Sequence, residues 1–340
     1  MMQNSQAIAD LMRGAIADQA VYGVSYALIG KNENESHFLG FQGENADAIP
    51  IEAGMRYDLA SLTKVVGTSS RILQLLTAGK LRLQDPIGRF ISGLGKPEIT
   101  IRQLLQHRSG LRADIAHVWD FDRGSLIKAV KQMPQLCPAD TKTIYSDLNF
   151  MLLGWLIAKI DGDLSQSLQE HLFKPLDMTD TGYNPDQHNL ANIVPTEYQA
   201  QRGGIIRGVV HDGKARLLDG VSGHAGLFST IKDLTHFSQM YLHDGQYQGQ
   251  QILPASAFQL LSDNVAGGRT LGWRCWSQPA GLKLWHTGFT GTSIALDLAN
   301  QRAFICLTNR VYPTRENKRW LSWRLMAIHA FYGQSAMQIQ

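Results

Sequence analysis

A serine and a lysine that could carry out covalent catalysis stand three residues apart, at Ser61 and Lys64. On a helix this spacing places the hydroxyl and the amine on the same face, within reach of each other. A serine hydroxyl is a poor nucleophile unless a neighbouring base accepts its proton, and a partly buried lysine with a lowered pKa can act as that base. The pair therefore indicates attack on a carbonyl through a covalent acyl-enzyme.

The same S-x-x-K spacing occurs twice more, at Ser125 and Lys128 and at Ser229 and Lys232. Only the first copy follows a β-favouring segment and opens a long apolar helix. A serine at a helix N-terminus lies beside free backbone N–H groups, which stabilise developing negative charge. We interpret the two later serines as residues at helix starts whose lysines face solvent.

A tyrosine in the middle of the chain is the second candidate. Tyr145 begins the chain's only Tyr-x-Asn or Tyr-x-Asp triplet, which ends at Asp147 just before an apolar helical pattern. A tyrosine phenolate near cations can serve as a general base and later return the proton to a leaving group. Tyr145 is therefore a candidate proton shuttle.

The third element lies at the end of a predicted strand and consists of His286, Thr287 and Gly288, followed by Phe289. An edge strand can present a cation, a hydroxyl and, directly after a glycine, a close backbone N–H group to a bound substrate. These four residues are candidates for binding a substrate and stabilising an oxyanion.

Together and in this order, the three elements resemble the signatures of the serine β-lactamase and penicillin-binding protein superfamily, which are S-x-x-K, a Tyr-x-Asn or Ser-x-Asn element, and K-T-G. Residues 100–111 and 223–230 are also similar to segments of class C β-lactamase-like esterases and peptidases. The resemblance spans roughly residues 20–335. It implies a serine hydrolase without a cofactor, acting on a small molecule or a peptide.

Residue by residue, the resemblance implies that Ser61 is the nucleophile, Lys64 its proton-accepting partner and Tyr145 the proton shuttle. It implies an oxyanion hole formed by the backbone N–H groups of Ser61 and Phe289. Activation of the hydrolytic water is then expected from Tyr145 and Lys64, because no E-x-x-x-N segment of the class A type is found.

Two departures from the family pattern bear on the substrate. His286 stands where most relatives have the lysine of K-T-G, and a histidine with an ordinary pKa near ~6.5 is mostly neutral at pH 7. Weaker recognition of a substrate carboxylate is expected from this change. Asp147 stands where many relatives have asparagine; pairing with Lys64 would keep that lysine charged, make it a poorer base and enlarge the role of Tyr145.

Three functions remain open on these residues. The first is hydrolysis of an ester, amide or β-lactam through acylation of Ser61. The second is a D-Ala-D-Ala carboxypeptidase or another peptidase or amidase of peptidoglycan fragments. The third is a penicillin-binding sensor module that deacylates slowly, although an intact serine, lysine and tyrosine oppose an inactive scaffold.

The fold class indicated is α+β and, by the resemblance, β-lactamase-like. Strand patterns at residues 22–29 and 37–41 and again between 271 and 308 predict one antiparallel sheet of about five strands, flanked by helices. The intervening patterns are mainly helical. We therefore predict a discontinuous sheet domain, residues 1–79 plus 226–340, with a mainly helical domain inserted at 80–225.

The composition limits partners and location. The formal net charge of +3 comes without a dense Lys/Arg block, so nucleic acid is not an expected partner. The three cysteines have no CxxC spacing and are expected to be reduced thiols. Neither a signal peptide nor roughly 20 consecutive apolar residues is found, so no membrane span and a cytoplasmic location are expected. The oligomeric state is not predicted.

Several other histidines and tryptophans are interpreted as structural. His224 is expected to cap or pack, and His211 with Asp212 forms an isolated pair. With neither an HExxH motif nor clustered carboxylates, no metal site is predicted. The remaining residues given structural roles are His107 and Ser109, expected to brace a turn, and Trp273, Trp276 and Trp285, expected to line the core or a cleft wall.

Overall fold

The computed structural model describes residues 4–31, 33–278 and 281–333. Its α-helices are α1 (Ser5–Ala17), α2 (Ser70–Thr77), α3 (Ile101–Leu105), α4 (Arg123–Lys131), α5 (Asp147–Asp161), α6 (Leu164–Leu168), α7 (Gly213–Leu217), α8 (Ile231–Leu242), α9 (Ala255–Asp263) and α10 (Arg319–Tyr332). Its strands are β1 (Gly23–Ile29), β2 (Asn34–Gly40), β3 (Tyr57–Asp58), β4 (Gly182–Tyr183), β5 (Tyr198–Gln199), β6 (Gly204–Ile205), β7 (Leu227–Ser229), β8 (Gln246–Tyr247), β9 (Gln250–Gln251), β10 (Arg274–Gln278), β11 (Gly281–Thr287), β12 (Ser293–Asp297) and β13 (Arg302–Leu307).

The main sheet is antiparallel and has six strands in the order β10-β11-β12-β13-β1-β2. Strands from both ends of the chain meet where β1 pairs with β13, with Tyr26 opposite Cys306. The shared antiparallel sheet expected from the sequence is thus present, with six strands instead of about five. The division of the chain into two domains stays a prediction.

Helices cover both faces of this sheet. On one face α1 and α10 pack together over a cluster that includes Met12, Phe304 and Trp320, all fully buried. On the other face α8 lies against β1, β12 and β13. Strand side chains alternate between the two faces of a sheet. Because helices cover both faces, all seven residues of β1 are buried. The stacked rings of Trp276 and Trp285 pack in the cluster beneath α1 and α10, in agreement with the core position expected for them.

The helical segment after β3 is less regular than the one long apolar helix that the sequence predicts to open at Ser61. It begins with a 3₁₀ turn at Ala60–Leu62, continues as a π-helix at Lys64–Ser69 and becomes α-helical only at Ser70. Ala60 has a φ of 46°, an unusual value for a residue with a Cβ, and its N–H donates to Asp58 Oδ1 at 2.8 Å. Such irregular turns are frequent at functional sites.

The strand patterns predicted between 271 and 308 begin, in the structure, three residues later, with β10 at Arg274. Gly272 adopts a φ of 95° and donates its N–H to the Leu105 carbonyl at 3.0 Å, which directs the chain away from the sheet at this point. Within the described residues, no helix is long and apolar enough to cross a membrane.

Candidate active site

The three S-x-x-K copies occupy different environments. Ser61 and Lys64 are in contact, with Lys64 Nζ 2.9 Å from Ser61 Oγ. Lys128 and Lys232 are exposed, as the sequence indicated. Ser125 lies in the first turn of α4, whereas Ser229 ends β7, one residue before the N-cap of α8. Only the first copy therefore has the geometry of a nucleophile and its partner.

Lys64 is completely buried, and its ammonium group donates three hydrogen bonds. Besides Ser61, it donates to Asp147 Oδ1 at 2.8 Å and to the His224 carbonyl at 3.0 Å. Burial opposes its charge, but the carboxylate of Asp147, together with Tyr145, outweighs burial and raises the pKa of Lys64 above the usual lysine value. The structure thus favours the charged lysine expected from the Asp147 substitution over a lysine with a lowered pKa.

Tyr145 stands between two cations and two imidazoles. The centroid of its ring lies 5.1 Å from Lys64 Nζ and 5.1 Å from Arg269 Cζ. The rings of His107 and His286 lie 4.5 and 6.1 Å from it, measured between centroids. Two positive charges therefore lie beside the side chain that is the candidate proton shuttle.

The two imidazoles beside Tyr145 are neutral. Burial, supported by the charge of Arg269, lowers the pKa of both His107 and His286 well below the usual histidine value. His107 Nδ1 accepts the Ser146 N–H at 3.0 Å, and His286 Nδ1 lies 3.1 Å from the Thr287 carbonyl. His107 thus braces a turn, as expected, and also packs on the candidate proton shuttle.

These buried histidines predict a loss of stability in mild acid. Their folded-state pKa lies below the unfolded value near ~6.5, so the unfolded chain binds the protons and the free energy of unfolding falls as the pH drops below that value. Between pH 7.5 and 5.5 we expect a loss of about 1 kcal/mol for each histidine. Urea unfolding at the two pH values measures it.

The variant His286→Gln is expected to lose less stability than the wild type between these pH values, because one proton-binding group is gone. The matched control is His188→Gln, since the His188 side chain is 96% exposed. An identical pH dependence in wild type and His286→Gln would contradict the prediction.

The turn after β11 is tied to the segment that precedes Ser61. Thr290 Oγ1 donates to the Asp58 carbonyl at 2.7 Å, and Thr292 Oγ1 donates to the Leu59 carbonyl at 3.0 Å. Gly288 donates its N–H to the Thr292 carbonyl at 2.7 Å. These bonds hold Phe289 and Ser61 at the border of the same cleft, where both line two adjoining cavities.

The first cavity, of about 270 Å³, contains a chain of ion pairs that the sequence analysis missed. Asp147 forms an ion pair with Lys64 through Oδ1 and a second ion pair with Lys214 through Oδ2, the latter at 3.2 Å. Lys214 also contacts Asp212 at 3.2 Å, and Asp212 accepts from His224 at 2.8 Å. Burial opposes the charge of Asp147, but the two ammonium groups lower the pKa of this carboxyl to about 2.

Two interpretations from the sequence are corrected by this cavity. His211 and Asp212 are not an isolated pair, because both line the cavity that contains Ser61. His224 is buried, as expected of a packing residue, but it also borders the cavity and accepts a hydrogen bond from Lys64 through its carbonyl.

One oxygen of Asp147, one of Asp212 and one nitrogen of His224 lie within 4.8 Å of one another, an arrangement that could suit a metal ion. Both carboxylates, however, already form ion pairs with lysine ammonium groups.

The second cavity, also about 270 Å³, is rich in arginine, and we call it the arginine cavity. Along with Ser61 it is lined by Arg269, Arg274, Arg310 and Arg324. Within residues 4–31, 33–278 and 281–333, none of these four guanidinium groups forms an ion pair with a carboxylate. The expectation of weaker carboxylate recognition was drawn from His286 alone. It did not take into account the positive charge of these arginines, which come from other segments of the chain.

The fold and the site together define a serine hydrolase. The family model described as Beta-lactamase matches residues 8–327, and the chain belongs to this family. This membership confirms the α+β, β-lactamase-like fold and the resemblance drawn from the three motifs.

Similar proteins include a carboxypeptidase and an amidase. A candidate D-alanyl-D-alanine carboxypeptidase of Escherichia coli O157:H7 is 31% identical over 316 residues, covering 79% of this chain and 73% of that protein. The N-acetylmuramyl-L-alanine amidase of Bacillus subtilis (strain 168) is 29% identical, covering 75% of this chain and 68% of the relative. The structure of a β-lactamase/D-alanine carboxypeptidase from Pseudomonas syringae superposes with a TM-score of 0.78 at 16% identity, covering 98% of this chain and 99% of the other.

Proposed function

We propose that Ser61 is acylated by substrate and that Tyr145 transfers the protons. The observation that carries this proposal is the 2.9 Å contact between Ser61 Oγ and Lys64 Nζ at the edge of a cleft that Tyr145 also lines. Lys64 is buried, charged and held by Asp147. Its role is therefore that of a fixed cation beside the reacting oxygen, and not that of a neutral base.

In the acylation step, the Tyr145 phenolate takes the proton of Ser61 Oγ while that oxygen attacks the substrate carbonyl, and Tyr145 becomes a neutral phenol. The negative charge on the carbonyl oxygen is stabilised by the backbone N–H groups of Ser61 and Phe289. Tyr145 then returns the proton to the leaving group, and the acyl-enzyme forms. In deacylation, Tyr145 takes a proton from water, which attacks the ester, and the proton returns to Ser61 as the acid leaves.

For the substrate we propose an amide bond in a small peptide that carries an anionic group, such as a peptidoglycan fragment with a D-alanyl end. Two features support this proposal: the D-alanyl-D-alanine and N-acetylmuramyl-L-alanine in the names of the relatives, and the arginine cavity beside Ser61. The cytoplasmic location stays a prediction, and it would limit such an enzyme to recycled wall fragments. Esters and β-lactams are the competing acyl donors.

The proposal is tested by intact-protein mass spectrometry after mixing with a fluorescent penicillin, a chromogenic cephalosporin, nitrophenyl esters and an acylated D-Ala-D-Ala peptide. We expect an acyl adduct that peptide mapping places on Ser61, and release of D-alanine from the peptide. A stable penicillin adduct without any turnover would favour the sensor module, and rapid ester turnover without peptide cleavage would favour the esterase. An adduct on another residue would refute the mechanism.

A further inference from the structure

We propose that Asp58 is a positioning residue that holds both N–H donors of the oxyanion hole in place for acyl transfer. This inference rests on the proposed function, because the donors in that mechanism are the backbone N–H groups of Ser61 and Phe289. Asp58 stands three residues before Ser61 and lines neither of the two cavities. Its role is therefore exerted through the residues that it binds.

The first oxygen of the Asp58 carboxylate fixes the residue that precedes the nucleophile. Oδ1 accepts the Ala60 N–H at 2.8 Å, and Ala60 has a φ of 46°. This left-handed conformation is disfavoured for a residue with a Cβ, so it persists only where neighbouring contacts hold it. Because the backbone torsions of Ala60 set the direction of the next peptide bond, Asp58 controls where the Ser61 N–H points.

The remaining acceptors of Asp58 hold the supports of the second donor. Oδ2 accepts the His211 N–H at 2.7 Å, and the His211 ring stacks on the Phe289 ring with the centroids 5.7 Å apart. The Asp58 carbonyl accepts from Thr290 Oγ1 at 2.7 Å, and Thr290 follows Phe289 directly in the chain. One residue is thus bonded to the supports of both N–H donors.

A carboxylate is the side chain that this position requires. Each of its oxygens accepts one backbone N–H, whereas the amide of asparagine offers a single acceptor oxygen. Asp58 has an exposed fraction of 2% and forms no ion pair with a lysine or arginine in the part of the chain that the structure describes. Burial raises the pKa of this carboxyl, and the N–H groups of His211 and Ala60 oppose the rise. Burying an acid without a counter-ion costs free energy, and its two backbone hydrogen bonds offset that cost.

The test measures kcat and KM of Asp58→Asn on an acylated D-Ala-D-Ala peptide and on a nitrophenyl ester, at a temperature where every variant is folded. We expect kcat to fall about 10- to 100-fold on both substrates, somewhat less than the cost of deleting one oxyanion donor outright. Acylation and deacylation both form an oxyanion, so both should slow. KM should therefore change by less than about 3-fold.

The matched control is Asp233→Asn, which alters another fully buried carboxyl. Oδ2 of Asp233 accepts the Asp180 N–H at 2.8 Å, but Asp233 lies in α8 and lines neither cavity. This variant should lose stability and keep the wild-type kcat. An equal loss of kcat in Asp233→Asn would show a general effect of altering a buried carboxyl and would overturn the role of Asp58.

A rescue variant separates positioning of the nucleophile from a merely structural role. Glycine adopts a φ near 46° without strain, so in Ala60→Gly/Asp58→Asn the Ser61 peptide can keep its direction without the carboxylate. We expect this double variant to recover at least about 3-fold in kcat over Asp58→Asn, since one of the two lost constraints is no longer needed. A role in stability alone predicts no such recovery among variants that are all folded in the assay.

A second variant keeps the inference testable if Asp58→Asn does not fold. Thr290→Val replaces the hydroxyl that donates to the Asp58 carbonyl by a methyl group and leaves the carboxylate in place. We expect kcat to fall about 3- to 10-fold at unchanged KM, the scale of losing one hydrogen bond. Wild-type kcat in either single variant, or a loss in Asp58→Asn that Ala60→Gly does not relieve, would overturn the role of Asp58. The proposed function fails separately, if wild-type protein carries no adduct on Ser61.

Discussion

Replacing Ser61 by alanine is expected to remove the acyl adduct and to reduce turnover by at least about 10⁴-fold, in line with the cost of deleting a serine nucleophile in other hydrolases. The physical reason is that Lys64 and Tyr145 are left without an oxygen to activate. The variant loses one partially exposed hydroxyl and with it one hydrogen bond from Lys64. The hydrogen bonds of Lys64 to Asp147 and to the His224 carbonyl remain. Steady-state turnover and intact mass measure the result.

The matched control for Ser61→Ala is Ser125→Ala, which alters the exposed copy of the same S-x-x-K spacing. Ser125 takes part in the capping box of α4 and contacts nothing in the cleft, so this variant should retain wild-type turnover. Full activity in Ser61→Ala, or loss of activity in Ser125→Ala with an unchanged melting temperature, would point to a different nucleophile.

Replacing Tyr145 by phenylalanine is expected to slow acylation by at least about 10²-fold, the scale for losing a general base. The ring and its packing on His107 remain, whereas the oxygen that transfers the proton is lost. The rate of adduct formation after rapid mixing measures this effect directly. The control is Tyr198→Phe, since Tyr198 is 57% exposed.

Comparison with Lys64→Met shows which group is the base. If Tyr145 transfers the proton, Tyr145→Phe and Lys64→Met both acylate slowly, the second because the Tyr145 phenolate loses the cation beside it. If Tyr145→Phe acylates at the wild-type rate while Lys64→Met does not, Lys64 itself is the base, and its ammonium must lose a proton despite Asp147. Lys232→Met, at an exposed lysine, is the control for the second variant.

The charge arrangement explains how a site with substitutions in two motifs can keep the electrostatics that acyl transfer requires. Asp147 introduces a negative charge beside Lys64, and its other oxygen pairs with Lys214, which also contacts Asp114 and Asp212 and so offsets only part of that charge. His286 contributes no charge, and the buried Arg269 supplies one nearby. In both places the compensating residue comes from a distant part of the chain.

Local patterns in the sequence were sufficient to find the helical segment that carries the candidate nucleophile, the paired strands and the candidate residues Ser61, Lys64 and Tyr145. Helical and strand periodicity, turn residues and motif spacing are properties of short segments, so they can be recognised without coordinates. They also separated Ser61 from Ser125 and Ser229, because only one of the three serines opens a buried helix. The same patterns predicted one antiparallel sheet built from both ends of the chain, with about five strands where the structure has six and with an earlier start for β10.

The partners of these residues were decided only by the tertiary structure. Lys214 stands 67 positions after Asp147, and Arg269 stands 124 positions after Tyr145, by their numbers in the chain. No local pattern marks either of them, because an isolated lysine or arginine has the same sequence signal whether it faces solvent or a cleft. Packing of the 266–269 turn against the segment before Tyr145, and of α7 against the ion-pair cavity, brings their charges to the site.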